Sequence, residues 1–85
     1  MKHAGTEAIS DLEPFLAQIR KRETLRENRP GIFYLRSRAF LHFHEDPRGL
    51  FADAKLGGDF SRFPVNTPKQ QEKLLARIDR FLSKR

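Results

Sequence analysis

The chain contains no cysteine. That absence removes disulfides, thiolate zinc sites and cysteine nucleophiles together. No apolar run approaches the roughly 18 residues a membrane-spanning helix needs, so no membrane partner is expected. The opening MKHAGTEAIS has none of the apolar stretch of a signal peptide, which makes a cytoplasmic location the expectation. No segment repeats, and none is of low complexity. Neither Ser37 nor Ser61 sits in a Gly-x-Ser-x-Gly context, and Gly57-Gly58 lacks the partners of a phosphate-binding loop. These absences lead away from an enzyme and imply no cofactor.

What is present describes a small folded module. Eighty-five residues make one domain, spanning 1–85. A domain of this size buries only about 60–65% of its unfolded surface, so its core is thin. Eight Phe and one Tyr help to fill it, because each ring removes a large area from water. The formal charge of +6 favours acidic partners such as nucleic acid. It also lies in the range that simply keeps a small domain in solution.

Residues 1–9 are polar and read as a frayed arm. The next stretch, SDLEPFLAQIRKRETLREN, carries Leu12, Phe15, Leu16 and Ile19 at helical spacing. Ser10 and Glu13 have the form of a capping box, or Pro14 takes the first helical position. This helix should run to about Asn28, where Pro30 and Gly31 stop it, with Arg20, Lys21, Arg22 and Arg26 making its second half basic. A second helix opens at Thr67, with Pro68 at its first position and Gln70 completing a capping box. Leu74, Leu75, Ile78, Phe81 and Leu82 form its apolar stripe.

Between the helices the chain alternates like a sheet, with strands near 32–36, 39–45 and 50–56. Pro64 limits any ladder in FSRFPVN to a short fourth strand near Phe63–Val65. Asp46-Pro47-Arg48-Gly49 has the residues of a type I turn. An even loop centred on Pro47 and Arg48 sets Phe43 opposite Ala52, Leu41 opposite Ala54 and Ala39 opposite Leu56. His42 then faces Asp53. An odd loop with Gly49 as a bulge would mix polar and apolar groups on both faces, so the even register is preferred. A three-residue connection through Arg36, Ser37 and Arg38 would send Phe33 and Leu35 to the apolar face and Tyr34 to the polar one. The expected fold is α+β, in the order α-β-β-β-α. Its three-stranded antiparallel meander carries both helices on one face.

The exposed face would then hold Tyr34, Phe40, His42, His44, Phe51, Asp53 and Lys55, rimmed by Arg36, Arg38 and Arg48. Aromatic rings stack bases and basic rims hold phosphates, so this face suits nucleic acid. It suits a protein partner equally, or a second copy of the chain in a homodimer, since exposed aromatic patches commonly mark interfaces. The stretch AFLHFHED raises a rival reading. His42 and His44 project together from one strand, and with Asp53 they form a two-imidazole, one-carboxylate set suited to zinc or ferrous iron. The same His–Asp pair could also move protons near neutral pH. The plainer alternative is a cross-strand hydrogen bond from His42 to Asp53, with His44 packed on Phe51.

RAFLHFHEDPRGLFAD and the later RFPV resemble short bacterial proteins described only as conserved hypothetical proteins of unknown function. The likeness covers roughly residues 31–82. It implies a small bacterial domain and carries no functional residue with it. The leading expectation is a small basic binding module with a nucleic-acid or protein partner. A metal-dependent or histidine-based enzyme using His42, His44 and Asp53 is the alternative.

Overall fold

A computed structural model describes residues 2–84; Met1 and Arg85 lie outside it. Among the described residues, three helices accompany one antiparallel sheet. The elements are β1 (Lys2–His3), α1 (Thr6–Asp11), α2 (Glu13–Arg20), β2 (Leu25–Arg29), β3 (Ile32–Leu35), β4 (Arg38–Asp46), β5 (Gly49–Lys55), β6 (Phe60–Pro64) and α3 (Pro68–Ser83). Strands β2 to β6 pair in sequence order, and β1 joins β4 beyond the end of β3. The class is α+β, as expected, but the sheet has five strands in its path where a three- or four-stranded meander was expected.

The extra edge strand comes from the stretch read as the end of the first helix. After Ile19 the helical stripe would continue through Arg22, Glu23 and Arg26, which offer nothing to bury. The helix stops at Arg20, and turn hydrogen bonds from Arg22 to Ile19 and from Leu25 to Arg22 redirect the chain. Leu25 then reaches the core, and the following residues find a ladder partner in β3. Arg22 fixes the turn by forking onto Asp79 of α3, with contacts of 2.8 and 2.7 Å. Nor is the arm expected to fray at 1–9 without structure in its described residues. They form β1 and most of α1, and the carboxylate of Glu45 accepts the Gly5 N–H at the start of α1. Ser10 lies inside α1 and caps nothing.

The central hairpin has the even register: Leu41 faces Ala54, His42 faces Asp53 and Phe43 faces Ala52. Asp46 closes its turn by accepting the Arg48 N–H at 2.8 Å. One face therefore carries Leu41, Phe43, Ala52 and Ala54 into a single core with Phe15, Leu16 and Ile19 of α2 and Leu74 and Ile78 of α3. Helix α3 begins with the expected capping box between Thr67 and Gln70.

The first hairpin corrects three expectations. Leu35 pairs with Arg38, so the connection is the two residues Arg36 and Ser37, not three. Ala39 pairs with Tyr34 and is exposed, instead of facing Leu56 in the core. The register then shifts at Phe40, which lies between the Tyr34–Ala39 and Phe33–Leu41 pairs as an extra residue. A bulge of this kind re-aims a side chain. Phe40 turns inward and stacks on Phe81 at a centroid separation of 5.8 Å, instead of joining the histidine face.

Candidate metal centre

The strand period places His42 and His44 on the sheet face opposite Leu41 and Phe43. Strand β1 adds a third imidazole. His3 pairs with His44 across the β1–β4 ladder, anchored by the Ala4 N–H donating to the Phe43 carbonyl at 3.1 Å. Ring centroids are 4.9 Å apart for His3–His44 and His42–His44, and 5.7 Å for His3–His42. One nitrogen from each ring lies within 4.8 Å of the others. A tetrahedral ion with metal–nitrogen bonds of about 2.0–2.1 Å asks for nitrogens roughly 3.3 Å apart, within reach of modest side-chain rotation.

The surroundings organise these rings. Asp53 is buried, and its carboxylate accepts a forked pair of hydrogen bonds from Arg62 at 2.7 and 2.8 Å. Its Oδ2 also lies 3.0 Å from His44 Nε2, close enough for electrostatic attraction but without the alignment of a hydrogen bond. Arg62 holds the Asp53 carboxyl below its usual range, chiefly through that fork. Phe60 packs edge-on against His42 at 5.0 Å. His42 is held below the ordinary imidazole value, first by burial and then by the neighbouring His44. It is therefore neutral at physiological pH, the form that donates a lone pair to a metal.

Among the described residues, three buried nitrogens stand without hydrogen-bond partners: His42 Nδ1, His44 Nδ1 and His44 Nε2. Buried polar atoms normally find partners, and several orphans in one place need a cause. Two of these nitrogens, on His42 and His44, belong to neighbouring rings of the three-histidine cluster, and the third, His44 Nε2, faces Asp53. With Asp53 beside Nε2 of His44, its Nδ1 is the nitrogen left open to a ligand role. A carboxylate behind a ligating histidine is the usual support of a metal site.

Asp53 is thus a poor ligand itself, since both of its oxygens are held by Arg62. His3 takes the place the sequence reading gave it. The expected His42–Asp53 hydrogen bond is not among those formed by the described residues, although the two residues do pair across the strands. Phe51 lies opposite His44, beneath the Arg48 guanidinium at 5.9 Å. Lys55 lies over Phe60. Tyr34 is half-buried on β3 and Phe40 belongs to the core, so the base-stacking platform loses a ring. The arginine rim is also divided. Arg38 begins β4 and Arg48 follows its end, about 27 Å away along nine strand residues. Arg36 sits with Arg38, whereas Arg48 pairs with Asp46.

His3, Phe60 and Arg62 escaped sequence reasoning. A two-residue strand has no period to detect, and the only hint was that the chain has three histidines. Arg62 needed the pairing of β6 with β5, which sets it opposite Asp53. Comparison with known proteins gives no match: no family model, curated protein or solved structure is similar to this chain.

Proposed function

We propose that this protein is a small binding module for a divalent transition-metal ion, held by His3, His42 and His44. The observation that carries this reading is the meeting of three imidazoles with one nitrogen of each within 4.8 Å of the others, beside buried nitrogens of His42 and His44 that lack hydrogen-bond partners. Imidazole ligands without thiolates suit zinc, copper, nickel or iron rather than magnesium or calcium. Three protein ligands leave a fourth position for water or an exogenous group. His3 is exposed, so that position would open toward solvent.

Cobalt(II) titration of the metal-free protein tests this directly. A one-to-one increase in visible absorption of tetrahedral intensity is expected, abolished in a His42→Ala, His44→Ala double variant and displaced by zinc. A featureless titration, or a band that survives in the double variant, overturns the reading.

A further inference from the structure

At the far end of the sheet the β3–β4 hairpin, the β5–β6 turn and the last turns of α3 enclose a cleft of ≈ 410 Å³. Its floor is apolar, made by the stacked Phe40 and Phe81 with Leu35 beside them. Arg36, Arg38 and Lys55 stand around it. The backbone of Gly57 and Gly58 forms one wall, where no side chain intrudes.

The cleft gathers three cations beside an apolar floor; like Lys21, Arg26, Arg29, Arg77 and Arg80 among the described residues, they lack the carboxylate partners that some other arginines have. Arg20, Arg22, Arg48 and Arg62 each form an ion pair with a carboxylate. Among the described residues, Arg36, Arg38 and Lys55 form none. Lys55 Nζ instead lies 5.9 Å from the centre of the Phe60 ring. Arg36 is the one described residue other than glycine with a positive φ, +61°. It stands first in the two-residue β3–β4 turn, where a tight hairpin calls for such backbone, and it sets the Arg36 side chain at the rim of the cleft.

We infer that this cleft binds a small amphipathic anion, a carboxylate with a hydrocarbon tail. The tail would lie on Phe40 and Phe81, and the head would meet Arg36 and Arg38, whose planar forks match a carboxylate. The cleft has the volume of small-molecule sites and their mix of apolar lining with a few convergent polar groups. Its lining has few groups to read a sugar or a base, which favours a hydrocarbon body over a nucleotide. The inference is independent of the metal centre, because none of the three histidines lines the cleft.

Decanoate, kept below its micelle concentration, is a suitable probe, followed by amide NMR shifts of the full chain. Saturable shifts are expected at residues 35–40, at Gly57 and Gly58 and around Phe81. Decanol should bind at least tenfold more weakly, and decyltrimethylammonium should not bind. An Arg36→Gly, Arg38→Gln variant suits the positive φ and should lose at least tenfold in decanoate affinity while keeping its cobalt response. Equal binding of decanol, shifts centred on the histidines, unchanged affinity in the variant, or AMP binding there more tightly than decanoate would each overturn the proposal.

Discussion

His3 lies directly opposite His44 across a ladder of two residues, so the shortest strand of the sheet completes the histidine cluster. Because His3 is exposed and contributes little to the core, His3→Ala should leave the metal-free protein about as stable as the parent. The effect should appear only with metal. An ion held by the folded state alone adds about 2.7 kcal/mol at one hundred times its dissociation constant. In a domain of this size each kcal/mol is worth about 4–8 °C of melting temperature. Thermal unfolding should therefore show a gain of about 10–20 °C with saturating zinc in the parent. Under the same zinc concentration the variant should show much less, and an unchanged gain would remove His3 from the site.

Asp53 should act on the metal through His44 rather than by touching it. Asp53→Asn keeps the side chain's shape but loses the charge beside His44 and the carboxylate that Arg62 grips. Removing such a supporting carboxylate typically lowers metal affinity about 10–100-fold. Chelator competition should find a loss of that size with one-to-one binding retained. A loss of less than about threefold would mean that Asp53 serves only the Arg62 ion pair.

The even hairpin was legible because two signals agreed: Asp46-Pro47-Arg48-Gly49 fixed the turn, and Leu41, Phe43, Ala52 and Ala54 fixed the faces. His42 and Asp53 came together as a consequence. The boundary after α2 was hidden, because KRETLREN is rich in good helix formers. Packing of Leu25 into the core overrode that local preference. Phe40 obeyed strict alternation on paper, and a single bulged residue sent it to Phe81. The cleft depends on that same bulge, so its floor could not be read from the alternation of β4.

Acid should weaken the metal-free protein through His42. Its surroundings are His3, His44, Asp53 and Arg62, and burial outweighs the attraction of Asp53 to hold its protonation below the usual 6.5. The folded protein therefore binds this proton less tightly than the unfolded chain does. Its contribution to stability is fully present above about pH 6.5 and is lost as the pH falls through the lower folded value. Asp53 acts with the same sign in a more acid window, below the ordinary carboxylate value of 3.8. Urea midpoints should decline from pH 7.5 to 5.0, and His42→Gln should flatten that decline. Zinc affinity should fall over the same range, because protons compete for the same nitrogens. A parent protein with constant midpoints would contradict the burial of His42.

The start of β5 offers a test of the fold that is independent of any ligand. Asn66 reaches back to Leu50 as an extra strand would, its Oδ1 accepting the Leu50 N–H at 2.7 Å and its Nδ2 donating to the Leu50 carbonyl at 3.2 Å. Gly49 makes room for it: its φ is +132°, and a Cβ there would lie 2.5 Å from Asn66 Oδ1. Asn66→Ala removes both hydrogen bonds and should destabilise by about 1–2 kcal/mol. Gly49→Ala should cost at least about 1 kcal/mol from backbone strain alone, and more from the clash. Since the clash needs the Asn66 side chain, the two changes should not add. In the Asn66→Ala background, Gly49→Ala should cost about 0.5–1.5 kcal/mol less than in the parent, within the range measured for contacting residues. Strict additivity in urea unfolding would show that the glycine is there for its φ alone.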